Sequence, residues 1–464
     1  MQIQFYIYLL FAVGSLFAVF YAPATFNRPF LIAEMVSFLL VGGMFVYHKF
    51  RKHGTVCFDM FFVPTFFLVN YAHAVFIYPD DEFLPAFRFA TRGYLIPYAV
   101  SVAQTGIACY FLFSSLSERV ARPAIHLHPE VPPDSAVRRI TYINLIATSI
   151  LFSYVFVFRV VQGYYHIYPR LMTLVLTLIA LSWYYQAQLL KQGERGWAVM
   201  LRHNKLNIIA ALLFSVTMLS VGSRGQVLFL FFMLMPIVNT YYFRIRLKVL
   251  APFIVVGVIA MGLLMLTRGT EYNIFRVSFS EAVEYGIDVL LESPNVFWML
   301  LTDFVVNAKT LYESIDYTQV NGIIWGRSYI VYLFVFIPFG GSVLTKLLTG
   351  LDGQDLFSGY ILTEYAGADY GLGTNLIADL YLNFSLPGVI IMMSLLGFMV
   401  SHFEKPVSKY GAFVYLSFFA NCIYMVRGDI FCWLTFFVYF VIFDWLMRLR
   451  IQFRGDCTSV GIAS

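Results

Sequence analysis

From Leu206 to Phe243 the chain carries a single charged side chain, Arg224, in the turn Ser220-Val221-Gly222-Ser223-Arg224-Gly225. A bilayer core about 30 Å thick takes about 20 helical residues, so the stretch is too long for one crossing and right for two. Arg224 is then placed where a helical hairpin reverses at a membrane surface. Composition points the same way: of 464 residues, 60% are hydrophobic and only 12% charged, more apolar surface than a water-soluble domain can hide. The fold class expected is all-α, a polytopic membrane protein.

Unpaired backbone amides are not tolerated in hydrocarbon, so apolar runs of this length close their hydrogen bonds as helices. The sequence predicts twelve, over 3–22, 30–49, 56–77, 93–116, 140–161, 170–190, 206–221, 226–243, 249–267, 375–401, 411–426 and 430–447. The first run has no Lys or Arg ahead of it, so it reads as a retained span and not as a cleaved signal. The basic clusters at Lys49 to Lys52, Arg119 to Arg139, Lys191 to Lys205, Arg244 to Lys248, Lys405 to Lys409 and Arg448 to Arg454 all fall on one side. By the positive-inside rule that side is cytoplasmic and holds both termini. The +5 net charge is thereby an orientation signal and implies no nucleic-acid partner.

Three regions follow: helices one to nine over 1–267, a long outward segment over 268–374, and helices ten to twelve with a tail over 375–464. The outward segment exceeds an ordinary connection and keeps Trp298, Trp325 and many other aromatics, so a folded cap is expected. Its run Tyr329 to Phe339 is too short to cross a bilayer and reads as a surface-lying or re-entrant helix. The cap holds twelve Asp or Glu against five Lys or Arg. Carboxylates mixed with aromatics suit neutral polyhydroxylated ligands, and a solvated acidic surface is the plainer alternative. The piece from Arg122-Pro123 to Pro132-Pro133 reads as a linker.

Arg427, in Met425-Val426-Arg427-Gly428-Asp429-Ile430, tops a second tight hairpin as Arg224 tops the first. Two planar guanidiniums at headgroup depth suit a diphosphate, although a lone arginine can equally snorkel toward lipid headgroups. Arg268, Arg276 and Arg327 of the cap are further candidates for that anion. At the start of helix ten, Asn375, Asp379 and Asn383 recur every four residues and so share one face. Asp379 there is either a general base or a packing and salt-bridge residue. Asn375, Asn383, Tyr381, Trp325 and Glu364 offer the amides, hydroxyl, ring and carboxylate that a sugar acceptor needs. Eight scattered histidines and five cysteines without ligand spacing predict no metal site. No phosphate-binding glycine loop is present, so an activated substrate is expected to arrive already on lipid and no cofactor is expected.

The layout, with Val221-Gly222-Ser223-Arg224-Gly225, Ile377-Ala378-Asp379-Leu380-Tyr381-Leu382-Asn383-Phe384 before Gly388, and Val426-Arg427-Gly428, resembles the bacterial oligosaccharide repeat-unit polymerases. These are the Wzy-type O-antigen and enterobacterial-common-antigen polymerases. The resemblance implies a GT-C-like membrane glycosyltransferase of the inner membrane, working without metal on the periplasmic face. The growing glycan would leave undecaprenyl diphosphate and join the non-reducing end of an incoming lipid-linked unit, with Arg224 and Arg427 holding diphosphate. It also implies a chain-length regulator as a partner. Asp379 matches an acidic position of the family's helix motif. O-antigen ligases share the layout but carry a histidine in the large loop, which this loop lacks. A transporter or flippase of lipid-linked or anionic solutes is the alternative from another class, although such proteins place paired charges at mid-membrane and show repeated halves.

Overall fold

The computed structural model describes residues 2–88, 92–120, 134–158, 168–190, 193–220, 223–266, 279–292, 295–334, 337, 340–368, 370–406 and 408–455. Among these residues the fold is helical, with no strand. The first group comprises α1 (Gln2–Phe20), α2 (Arg28–His53), α3 (Asp59–Asn70), α4 (Ile96–Val120), α5 (Asp134–Phe158) and α6 (Tyr168–Gln188). It continues with α7 (Trp197–His203), α8 (Lys205–Ser220), α9 (Arg224–Ile237) and α10 (Leu247–Leu266). The segment expected as a cap holds α11 (Phe279–Glu292), α12 (Val296–Leu300), α13 (Thr302–Val305), α14 (Ala308–Asn321), α15 (Gly341–Thr349) and α16 (Ser358–Tyr365). The chain ends in α17 (Leu376–Phe403), α18 (Lys409–Ala420) and α19 (Leu434–Gly455).

Each apolar run expected as a span carries one of these helices. Five helices among the described residues, Ile3–Phe20, Arg28–His53, Gly93–Val120, Arg224–Tyr242 and Leu376–Phe403, are long and apolar enough to cross a membrane. Their outer faces agree with hydrocarbon surroundings: α1 leaves Ile3, Leu10 and Phe17 exposed, side chains that water would penalise. The chain is thus a helical protein built for a membrane. The linker expected over 122–133 lies outside the described residues.

Two apolar cores share the bundle. One joins α2, α3 and α4 to α17, and the other joins α5, α6, α8 and α9 to α19. The tightest pairing is α4 against α17, where small residues let two backbones meet. A β-carbon at Gly397 would run into the Tyr110 carbonyl, and one at Gly106 would lie 2.9 Å from Ile377 and Val389.

Helix α17 is broken about a third of the way from its start, and the break docks the preceding polar segment. Ser385 takes φ 55° and Pro387 lacks an N–H, so the carbonyls of Leu382 and Asn383 lose their partners within the helix. The backbone N–H groups of Ile324 and Trp325 donate to those two carbonyls at 3.1 Å each. Below the break, Ser314 Oγ donates to the Ala378 carbonyl at 2.8 Å, so α14 also lies along this helix. The run expected as a helix over Tyr329 to Phe339 is instead a 3-10 turn, Arg327–Leu333, because its residues are spent on contacts to the α17 end and not on a continuous apolar face. Positions 335–336 and 338–339 lie outside the described residues.

Candidate functional site

Both hairpin arginines reach the same carboxylate oxygen. Arg224 is the first residue of α9, and its Nη2 donates to Asp303 Oδ2 at 2.5 Å. Arg427 ends the 3-10 turn Tyr424–Arg427, with its Nη1 3.9 Å from that oxygen, an ion pair without a hydrogen bond. Asp303 sits on α13, whose Phe304 ring lies 5.2 Å from the Arg427 guanidinium, with Tyr424 at 6.0 Å. The flat cation thereby lies within cation–π range of two aromatic rings. Arg427 Nε is buried and has no hydrogen-bond partner among the described residues.

Glycine brings the hairpins together. A β-carbon at Gly225 would lie 2.9 Å from the Tyr424 hydroxyl, so only glycine there allows this approach without a shift. One turn further along α9, Phe229 packs on Tyr424 with ring centroids 4.5 Å apart. Two guanidiniums face one carboxylate oxygen in a cleft whose side chains are mostly, but not fully, covered: Arg224 is 14% exposed, Arg427 21% and Asp303 28%. Such a cleft can take a second anion.

The residues after Arg427 face another cluster. Asp379, fully buried, accepts from Ser358 Oγ at 2.7 Å, Tyr329 Oη at 3.0 Å and Asn383 Nδ2 at 3.3 Å, and the Ile430 backbone N–H also donates to it. These four donors fill the lone pairs of a carboxylate. Asp429 accepts from the Tyr332 hydroxyl. Desolvation pushes Asp429 above the ordinary carboxylate range, and the Tyr332 hydrogen bond opposes that rise. The turn Arg427 to Ile430 therefore joins the arginine cleft to a tyrosine- and carboxylate-lined wall.

The three polar residues at the start of α17 do lie together, all fully buried. Asn375 is the N-cap, accepting from the Ile377 N–H at 2.8 Å while its amide donates to Asn70 at 2.9 Å. Asn383 donates to Ser328 Oγ at 2.9 Å and back to the Asp379 carbonyl at 2.8 Å. The amides of Asn375 and Asn383, read from the sequence as sugar contacts, are hydrogen-bonded inside the fold. Tyr381 is nearly buried, its hydroxyl 3.1 Å from that of Tyr98. Trp325 is 77% exposed and held at φ 53°. Glu364 is exposed on α16, and Arg327 is exposed at the start of its 3-10 turn. Arg268 and Arg276 lie outside the described residues.

Asp303, Asp429, Tyr329 and Tyr332 carry much of this site and are missed by the sequence reading. Asp303 is one acid among twelve in its segment. Asp429 had a signal, standing two residues past Arg427 in a hairpin between apolar runs. No protein-family model, curated protein or solved structure matches this chain.

Proposed function

We propose that this chain polymerises lipid-linked oligosaccharide repeat units, as its resemblance to the Wzy-type polymerases implies. In this reading twelve helices span the inner membrane, residues 268–374 cap the periplasmic face, and the ligand is undecaprenyl diphosphate carrying a glycan. The observation that carries the reading is the meeting of Arg224 and Arg427, from hairpins far apart in the chain, at one oxygen of Asp303.

Breaking the bond between the anomeric carbon and the phosphate oxygen leaves negative charge on the departing lipid diphosphate. Fixed donors in a covered cleft stabilise that charge better than water, about 3 to 4 kcal/mol for each by analogy with oxyanion donors. The diphosphate competes with Asp303 for both guanidiniums and releases it. Asp303, the carboxylate with exposed surface, then takes the proton of the attacking sugar hydroxyl as the new glycosidic bond forms. Asp379 acts at one remove, fixing the Arg427 turn to the cap through Ile430, Tyr329 and Ser358.

Arg224→Ala and Arg427→Ala should each abolish long-chain polysaccharide in a complementation assay while the protein still accumulates. Normal chain length in both variants ends the assignment. The broken helix α17 favours a second reading, since transporters bind solutes at interrupted helices. Purified protein in liposomes separates the two: a polymerase lengthens labelled lipid-linked glycan, and a transporter moves it unchanged. A ligase of the same layout would instead transfer the glycan to a different acceptor.

A further inference from the structure

Helix α15, with the sequence GSVLTKLLT, sorts its side chains onto three stripes. Gly341 and Thr345, four residues apart, turn inward and are buried. Val343 with Leu347, and Leu344 with Leu348, repeat the same spacing and form one apolar stripe beside them. Val343 is 59% exposed, Leu347 76% and Leu348 67%, so nothing among the described residues covers that stripe. Ser342 and Lys346 share the remaining side and are exposed.

Contacts fix the height at which this stripe lies. A β-carbon at Gly353 would lie 3.8 Å from the Thr345 side chain, so the 3-10 turn Gly353–Leu356 packs on the buried side of α15. Phe357, which follows that turn, meets Tyr332 edge-on with ring centroids 6.1 Å apart, and Tyr332 donates to Asp429. Asp429 stands in the turn between α18 and α19, which the proposed topology puts at the outward surface of the membrane. Leu333, the neighbour of Tyr332, is exposed too and adds a fifth apolar side chain at that level.

We propose that α15 lies flat in the outward leaflet of the bilayer, with Val343, Leu344, Leu347 and Leu348 among the acyl chains. Its nine residues measure about 13 Å, too short to cross, and Gly350 at φ 73° ends it. A short helix with one apolar and one polar side rests about 5 to 10 Å into the boundary between headgroups and chains. Lys346 can run its methylenes along that boundary and keep its ammonium wet. Its partner Asp352, 3.0 Å away, is more than half exposed like Lys346 itself, so the polar edge faces water. A second copy of the chain fits less well, because five partly exposed apolar side chains fall short of the roughly 800 Å2 that each partner gives to a stable protein interface. The proposal rests on the membrane topology and not on the glycan chemistry.

The test is spin labelling of full-length protein in nanodiscs of phosphatidylethanolamine and phosphatidylglycerol, which leave both membrane faces open to water. Labels are placed singly by Val343→Cys, Leu347→Cys, Ser342→Cys and Lys346→Cys in a Cys432→Ser, Cys457→Ser background, and relaxation is read with oxygen, which enters lipid, and with a nickel chelate, which does not. The ratio of oxygen to nickel accessibility should be at least about threefold higher at 343 and 347 than at 342 and 346. Equal ratios at all four positions would mean that the stripe faces water and would overturn the proposal. Labels at 343 and 347 that neither reagent reaches would mean that protein covers the stripe, which overturns it as well. Leu348→Cys reads the same stripe independently if either apolar variant fails to run as one species. The readout depends neither on activity nor on which side of the membrane faces out, so its failure is distinct from failure of the polymerase reading.

Discussion

Asp303 occupies the guanidiniums of Arg224 and Arg427 as a phosphate oxygen would, so it acts as a built-in competitor for the same charge. Asp303→Asn keeps the shape and removes that competition. Inorganic pyrophosphate should then bind about tenfold more tightly, roughly 1.4 kcal/mol, while polymer formation falls because the proton acceptor is gone. Calorimetry on the purified variant checks the first arm and complementation the second. Unchanged pyrophosphate affinity would show that the carboxylate does not guard the cleft. Arg427→Lys is the complementary probe, since a lysine keeps the charge but loses the planar fork beside Phe304. It should retain less than a tenth of wild-type activity by the same assay. The two arginines were legible in the sequence because each stands in a short turn between apolar runs. Their partner was not, because nothing local distinguishes Asp303 from the other acids of its segment.

At the scale of elements, the break in α17 links cap and bundle. Pro387 withholds the N–H that would close the helix onto the Asn383 carbonyl, and Trp325 supplies one instead. The pair Pro387-Gly388 stood in the sequence as a helix interruption, but the N–H donors that answer it lie some sixty residues earlier, beyond the reach of local periodicity. Pro387→Ala restores a competing donor within the helix. The Trp325 amide should then exchange its hydrogen at least about tenfold faster, while amides of α4 stay protected, as hydrogen–deuterium exchange can read. Equal exchange in both proteins would mean that the cap holds its place without this bond. The same reasoning explains why a 3-10 turn replaces the expected re-entrant helix. Tyr329 and Tyr332 follow a period set by Asp379 and Asp429 on other elements, and their own segment carries no trace of it. By contrast, the expected run of helices was readable, because twenty-residue apolar runs admit one backbone solution.

For the whole molecule, α17 sets the distance between its two polar clusters. Its 28 residues measure about 40 Å at 1.5 Å per residue, enough to separate two membrane surfaces. Asp379 stands at one end with the arginine cleft, and Glu404 follows the other end with Lys49, Lys52 and Lys405 near by in structure or sequence. Basic clusters orient such a chain, because they are retained on the cytoplasmic side, and in the proposed topology that is the Glu404 end. Close packing of α4 on α17 keeps the two ends in register. Gly397→Leu, which forces a side chain into the Tyr110 backbone, should therefore cost at least about 1 to 3 kcal/mol and lower detergent thermal stability. Orientation has its own test. In the proposed topology Val320, 67% exposed on α14, and the exposed Lys405 lie on opposite sides of the membrane. In intact cells a membrane-impermeant maleimide should label Val320→Cys once the outer membrane is permeabilised, and should label Lys405→Cys only after the inner membrane is opened as well. Cys57, Cys109 and Cys422 are buried, Cys432 is half-buried and Cys457 lies outside the described residues, so both variants are made in a Cys432→Ser, Cys457→Ser background. The reverse pattern would put the arginine cleft in the cytoplasm, where a lipid-linked glycan awaiting polymerisation does not face it, and the proposed reaction would lose its substrate.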